Sequence, residues 1–175
     1  MEWTMRTARL WIRPLEREDA PTLNRIANQP HVLSFMPDWA SSLQDTEELI
    51  QRLIPQVATS NKTDARILFA VELAGEMIGL VGIGNKQEVD NEIELAFFID
   101  EAHAGRGYTT EAARVVCRRV LSNLGMDYLI AIIEPGNIPS RRVVEKCGFR
   151  KVDARTILNS GEIRPKLYHY YRLYH

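Results

Sequence analysis

A glycine-bearing turn stands between a predicted strand and the strongest predicted helix of the chain. Gly105 and Gly107 flank Arg106, and the helix begins directly afterwards, at about Thr109. Glycine lets the main chain approach a ligand closely, and successive N–H groups at a helix N-terminus attract an anion. Arg106 adds a charged donor. The turn is therefore a candidate phosphate site, although glycine before a helix often forms only a tight turn.

The same residues exclude two other nucleotide-binding loops. A Walker loop requires Gly-Lys followed by Ser or Thr, and no such triplet follows Gly107. A dinucleotide-binding fingerprint requires a third glycine at the position that Thr110 occupies. The turn therefore favours an anion held mainly by main-chain groups.

Three further polar residues stand at positions where chemistry is possible. Asn137 follows a short apolar strand, and Ser140 is a suitable N-cap for the next helix. Glu94 lies in the middle of an otherwise apolar strand, where a carboxylate is costly unless it is paired or solvated and where burial raises its pKa. Plain helix capping by Asn137 and Ser140, and a Glu94 that points to solvent, are the structural alternatives.

The hydrophobic pattern predicts the elements that position these residues, in the order β-α-α-β-β-β-α-β-α-β-β. The strand with Glu94 spans 92–100, the long helix spans 109–123, and a wholly apolar strand over 129–133 is typical of a central position. This order predicts an α/β layer fold with one mixed sheet. The other predicted elements are strands over 8–14, 67–73 and 77–83, helices capped by Asp19, starting near Asp45 and spanning 140–147, and two strands around 159–162.

The composition limits the class of protein. The 175 residues suit a single domain, which we expect to span 1–175. Lys and Arg number 22 against 23 Asp and Glu, and this balance disfavours nucleic-acid binding through bulk charge. The sequence has no apolar run long enough to span a membrane and no signal-peptide core, so we expect a cytoplasmic protein without a membrane partner. The histidines lack metal-ligand spacing, so no metal is expected, and Cys117 and Cys147 fit apolar helix faces.

Three segments together resemble the GNAT superfamily of N-acetyltransferases. Residues 103–112 are similar to the acetyl-CoA loop of that family, whose first position falls on Ala102. Residues 135–149 resemble its Asn-to-Phe segment, and residues 7–20 resemble the opening of the branch that contains the RimJ and RimL ribosomal-protein acetyltransferases. On these segments, which span nearly the whole chain, the protein is identified as a RimJ/RimL-like member.

The resemblance implies a fold and a cofactor. The GNAT acyl-CoA N-acyltransferase fold has one mixed sheet of about six to seven strands and about four helices, with a splay between the strands 92–100 and 129–133. Acetyl-CoA is the implied co-substrate, with its diphosphate on the loop amides and its pantetheine arm and thioester beside the first strand of the splay and Asn137. The implied cofactor-binding residues are Phe97, Phe98, Ile99, Gly105, Arg106, Gly107, Tyr108, Thr109, Thr110 and Asn137.

The resemblance also implies the chemistry, which is attack of a primary amine on the thioester. Glu94 is the implied base and Glu92 is the fallback, and either carboxylate can act through a water molecule. Many relatives have an acidic tyrosine at the position of Val144, so Ser140 or a water relay is the candidate that protonates the departing thiolate.

The sequence says least about the identity of the acceptor amine. A protein N-terminal α-amine and a small amine (an aminoglycoside, a polyamine or an amino acid) both fit, and the absence of an acidic cluster in the predicted loops disfavours a polycation. The aromatic residues of 35–39 and 168–174 fit an acceptor groove, the core or a homodimer contact, and the core is favoured for Tyr168, Tyr170 and Tyr171. A non-catalytic acyl-CoA-binding module is the alternative of a different class.

Overall fold

The computed structural model describes residues 2–175, which form one eight-stranded mixed sheet flanked by helices. The strands lie in the order β1-β2-β3-β4-β5-β6-β8-β7. Every neighbouring pair is antiparallel except β5 and β6. The strands are β1 Met5–Arg6, β2 Leu10–Pro14, β3 Arg66–Leu73, β4 Glu76–Lys86, β5 Glu92–Ile99, β6 Tyr128–Ile133, β7 Arg150–Ile157 and β8 Lys166–Tyr174.

Within residues 2–175, four α-helices have eight or more residues, and two single-turn α-helices accompany them. The helices are α1 Ala20–Ala27, α2 Pro30–Leu33, α3 Leu43–Leu53, α4 Gln56–Thr59, α5 Tyr108–Leu124 and α6 Ile138–Cys147. None of the helices within residues 2–175 is long and apolar enough to cross a bilayer. The predicted fold class is confirmed, and the eighth strand is the two-residue β1.

The parallel strands β5 and β6 separate along most of their length. Only one register pair joins them, between Glu94 and Ile130. Asp100 N–H donates to Ile78 O at 2.8 Å, so every second residue of β5 directs its main chain to β4. The main-chain groups of Phe97 and Ile99 therefore face the gap, whereas those of Phe98 face β4. The predicted splay is confirmed.

The sheet buries a separate apolar cluster under each helical layer. On one face, Val116 and Val120 of α5 pack with Phe69 and Leu129. On the other face, Leu23 of α1 packs with Phe98. A third cluster includes Tyr168 and Tyr170, and both of these tyrosines and Tyr171 are buried, which confirms the core interpretation for all three.

Two predicted caps differ from the structure. Asp19 occupies the N-cap position of α1, as predicted, but its carboxylate accepts hydrogen bonds from the Arg13 guanidinium, at 2.8 and 2.9 Å, and makes none to the first turn of the helix. Ser140 is not the N-cap of α6, because the helix begins at Ile138 and Asn137 is its cap. Asn137 Oδ1 accepts the N–H of Ser140 at 3.3 Å. Pro139 in the first turn explains the earlier start, since its fixed φ suits that position.

Candidate active site

Two cavities meet in the gap between β5 and β6. The glycine-side cavity, of about 590 Å³, lies between β5, the 104–110 loop and α6. The carboxylate-side cavity, of about 400 Å³, lies between β4, β5, the end of β6 and the loops 35–39 and 159–160. Both are lined by Phe35, Met36, Phe97, Asn137 and Ser140. The two cavities therefore form one cleft whose junction lies at Phe97, Asn137 and Ser140.

The glycine-side cavity is built around the exposed start of α5. Gly105 and Gly107 have φ values of +74° and +81°, which only glycine adopts without strain. A Cβ added at Gly105 would meet no atom within 4 Å, so the loop borders open space. Gly107 is the N-cap and offers no side chain to the first turn of α5. The N–H groups of that turn are therefore available to an anion.

Side chains of the N-terminal segment form hydrogen bonds with the 104–110 loop and the first turn of α5. Glu111, in the first turn of α5, accepts hydrogen bonds from Thr7 Oγ1 at 2.5 Å and from Arg9 Nε at 2.7 Å. Arg9 also donates to Arg106 O at 3.1 Å and lies 4.5 Å from the ring centroid of Tyr108. The side chain of Arg106 does not line the glycine-side cavity, so its main chain is the part that shapes the loop.

The edge of β5 forms the inner wall of the glycine-side cavity. Phe97 and Ile99 line it and direct main-chain groups into the gap. His31 Nε2 donates to Ile99 O at 2.8 Å, which uses one of the two lone pairs of that carbonyl. Phe98 also contributes to the lining, but its ring packs edge-on against Trp39 at 4.9 Å. The exposed edge thus consists mainly of Phe97 and Ile99.

Glu94 lies at the floor of the carboxylate-side cavity. Gly84 is its cross-strand partner on β4, so no side chain stands opposite the carboxylate. Burial raises the pKa of Glu94 to about 7, with a contribution from Glu88, whereas Lys86 and the N–H of Ile132 favour the ionised form. The side chain keeps partial exposure through the cavity. A carboxylate with this pKa is substantially ionised at neutral pH and can accept a proton.

Charged side chains from separate elements surround Glu94. Arg66 and Lys86 are the cations, and burial raises the pKa of Asp38. Four carboxylates and two cations line the cavity, and one of the carboxylates, Glu134, is paired with Lys166. The sequence of the loops shows no acidic cluster, because the carboxylates that line this cavity come singly from four segments. The carboxylates are Asp38 before α3, Glu88 after β4, Glu94 on β5 and Glu134 after β6.

The loop between β7 and β8 covers the outer side of this cavity. Gly161, with a φ of +77°, packs so closely on the 37–39 turn that an added Cβ would lie 2.8 Å from Asp38 N. Lys86 Nζ donates to Asn159 Oδ1, and Ser160 N–H donates to Glu88 at 3.1 Å. These contacts join the loop to both walls, so the carboxylate-side cavity is partly enclosed.

Glu92 and Val144 lie outside the cleft. Glu92 accepts hydrogen bonds from Tyr170 Oη at 2.6 Å, from Tyr128 Oη at 2.8 Å and from Arg172 at 3.1 Å. Its carboxylate lines neither cavity. Val144 is fully buried in the core. Of the two candidate bases, only Glu94 has access to the cleft.

Most of the chain matches the model of a known protein family. The acetyltransferase (GNAT) domain model matches residues 9–150. The chain belongs to the GNAT family and is an acetyl-CoA-dependent N-acetyltransferase. Within residues 2–175, no group of three or more His, Cys, Asp or Glu side chains is placed to hold a metal ion.

Relatives and solved structures agree with this assignment. The chain is 28% identical over 162 residues to the putative ribosomal N-acetyltransferase YdaF of Bacillus subtilis, covering 90% of this chain and 82% of YdaF. It is 25% identical over 138 residues to spermidine N(1)-acetyltransferase of Escherichia coli, covering 79% and 71%. A GNAT acetyltransferase structure from Bacillus anthracis superposes with a TM-score of 0.79 at 23% identity, covering 98% of each chain.

The glycine-side cavity fits acetyl-CoA. The uncapped first turn of α5 offers N–H groups to a diphosphate. The edge of β5 offers unpaired main-chain groups to the amides of a pantetheine arm, and the cavity leads from one to the other. Asn137 uses Oδ1 to cap α6, which leaves its amide N–H groups for the arm. The predicted cofactor residues thus line one cleft, except for the side chain of Arg106. The prediction that Phe98 offers main-chain groups to the arm is wrong, because those groups face β4.

Proposed function

We propose that this enzyme transfers an acetyl group from acetyl-CoA to a small primary amine, with Glu94 as the base. The single observation that carries the proposal is the junction of the two cavities, because it gives a thioester in one cavity access to an amine in the other. Acetyl-CoA supplies the thioester carbonyl. Glu94 removes a proton from the acceptor ammonium, directly or through a water molecule, and thereby makes the amine nucleophilic.

The remaining roles follow from the positions along the cleft. Main-chain N–H groups between Gly105 and Thr110 hold the diphosphate. Phe97 and Ile99 bind the arm through main-chain groups and Asn137 through its amide. Ser140 lines both cavities and protonates the departing thiolate, either itself or through water. Residues 1–175 act in this proposal as a single N-acetyltransferase domain.

The carboxylate-side cavity favours a small cationic acceptor. Its partial closure by the β7–β8 loop limits the size of the acceptor, and its excess of carboxylates attracts an ammonium group. The similarity to spermidine N(1)-acetyltransferase supports this choice. The α-amine of a protein N-terminus is the second candidate, which the similarity to YdaF supports.

An acetylation panel tests the proposal. The purified enzyme is incubated with acetyl-CoA and, separately, with polyamines, aminoglycosides, amino acids and short peptides with free N-termini, and the release of the coenzyme A thiol is measured. We expect the highest kcat/KM for a small amine with at least two cationic groups. Preferential turnover of the peptides would replace the small amine by a protein N-terminus, and absence of turnover on every amine would overturn the proposal.

A further inference from the structure

We propose that Lys86 is a positioning residue that keeps Glu94 in its proton-accepting form. This inference rests on the proposed role of Glu94 as the base, and it adds a residue that the sequence motifs do not contain. Lys86 is the last residue of β4 and lines the same cavity as Glu94.

The register places Lys86 beside Glu94 on one face of the sheet. Gly84 pairs with Glu94 and Lys86 pairs with Glu92, so Lys86 is the diagonal cross-strand neighbour of Glu94. Diagonal neighbours lie about 7–8 Å apart, within reach of a long side chain. Because Gly84 has no side chain, nothing on β4 stands between the ammonium of Lys86 and the carboxylate of Glu94.

The contacts of Lys86 hold its ammonium inside the cavity. The side chain is 13% exposed, Nζ donates to Asn159 Oδ1, and Nζ lies 3.5 Å from a carboxylate oxygen of Glu88. A buried ammonium is costly unless it has partners, and here the partners come from the two loops that flank the cavity. The charge is therefore fixed near Glu94 and does not extend into bulk water, where it would be screened.

The other charges near Glu94 mostly oppose ionisation. Burial is the largest contribution that raises its pKa, and Glu88 and Asp38 add to it, whereas Lys86 is the principal charge that lowers it. Glu134, across the cavity, is paired with Lys166 at 3.2 Å. Further titratable groups near Glu94 on these elements include Arg66 on β3, Glu92 on β5, Tyr128 on β6, and Glu162, Tyr168, Tyr170 and Arg172 on β8 or the loop before it.

This arrangement predicts opposite effects for two substitutions. Lys86→Met removes a positive charge, so the Glu94 titration is expected to move to higher pH by about one unit. Glu88→Gln removes a negative charge and is expected to move it to lower pH. The titration of Glu94 is measured in two ways. One is the acidic limb of the pH dependence of kcat/KM, and the other is the ¹³C chemical shift of the Glu94 carboxyl. That carboxyl signal is assigned by its absence from the spectrum of Glu94→Gln.

Two controls separate charge from structure. Lys86→Arg keeps the charge and is expected to titrate close to wild type, whereas Asn159→Ala frees the ammonium from one of its partners and is expected to move the titration part of the way towards that of Lys86→Met. Equal titrations of wild type and Lys86→Met would overturn the inference. If Lys86→Met does not fold, equal titrations of wild type and Lys86→Gln would overturn it instead.

The same experiments distinguish this inference from the proposed function. Full activity of Glu94→Gln would reject Glu94 as the base and the role of Lys86 with it. An inactive Glu94→Gln together with an unmoved Glu94 titration in Lys86→Met would reject the role of Lys86 alone. The spectroscopic titration requires no acceptor, so it decides the second question even before the acceptor is identified.

Discussion

The two cavities of the cleft are built in different ways. The glycine-side cavity offers mainly main-chain groups, from the loop before α5 and from the edge of β5. The carboxylate-side cavity offers side chains from β3, β4, β5, β6, β8 and four loops. Main-chain donors do not depend on the identity of the side chains, whereas a cavity lined by charged side chains changes with each substitution. Under the proposed function, the enzyme binds its cofactor through main-chain shape and selects its acceptor through side-chain charge.

The largest expected effect comes from removing the base. Glu94→Gln is expected to lower kcat/KM by about 10²- to 10⁴-fold, because general base catalysis contributes on that scale. The dissociation constant for acetyl-CoA is expected to stay within about twofold, because the carboxylate lies in the other cavity. Steady-state kinetics and isothermal titration calorimetry measure the two quantities.

The pH profile and a matched variant sharpen this result. Wild-type kcat/KM should fall as pH decreases through about 7, where Glu94 becomes protonated, and the residual activity of Glu94→Gln should lack that limb. Glu92→Gln is the control, since Glu92 lies on the same strand but outside both cavities. Equal losses in the two variants would contradict the assignment of the base and erase the distinction between the cavities.

The second effect concerns the glycine-side cavity. Gly107→Ala places a side chain at a φ of +81°, which costs about 1–2 kcal/mol. If the loop keeps its shape, the loss appears in the free energy of unfolding. If the loop relaxes, the loss appears as about five- to thirtyfold weaker binding of acetyl-CoA. Urea unfolding measures the free energy of unfolding, and isothermal titration calorimetry measures the binding of acetyl-CoA.

Arg106→Ala is the matched control within the same loop. The Arg106 side chain does not line the cavity, and only its carbonyl contacts Arg9, so we expect the affinity for acetyl-CoA to change less than threefold, or less than about 0.7 kcal/mol. A larger loss in Arg106→Ala than in Gly107→Ala would show that the guanidinium, rather than the backbone, binds the cofactor.

The glycine-side cavity was accessible to sequence reasoning because its parts are local. The turn, the start of α5 and the strand before it are contiguous in the chain, and the periodicity of 92–99 and 108–124 fixes their elements. Even here one detail was wrong. Asn137 and Ser140 are both good N-cap residues, and only the position of Pro139 in the first turn shows why Asn137 is the cap.

The carboxylate-side cavity was not accessible, because it depends on contacts between distant segments. The role proposed for Lys86 requires the register of β4 on β5, which no single strand encodes. The enclosure of this cavity requires Gly161 to pack on Asp38. In the glycine-side cavity, the contact of the N-terminal segment with α5 likewise requires Arg9 to lie beside Glu111. Glu94 was a candidate because a carboxylate interrupts an apolar strand and because the family resemblance implies a base there, and both signals exist within a few residues.

The smallest expected effect tests the enclosure of the carboxylate-side cavity. In Gly161→Ala the new Cβ would collide with the backbone at Asp38, so the β7–β8 loop must move away from the 37–39 turn. We expect the KM for the amine to rise about two- to tenfold, which corresponds to about 0.4–1.4 kcal/mol, while the acetyl-CoA dissociation constant is unchanged. Gly75→Ala is the matched control, because Gly75 has a similar φ of +85° but no atom within 4 Å of an added Cβ. A change in acetyl-CoA affinity with no change in amine KM would show that the loop serves the other cavity, and the division of the cleft into a backbone half and a side-chain half would then fail.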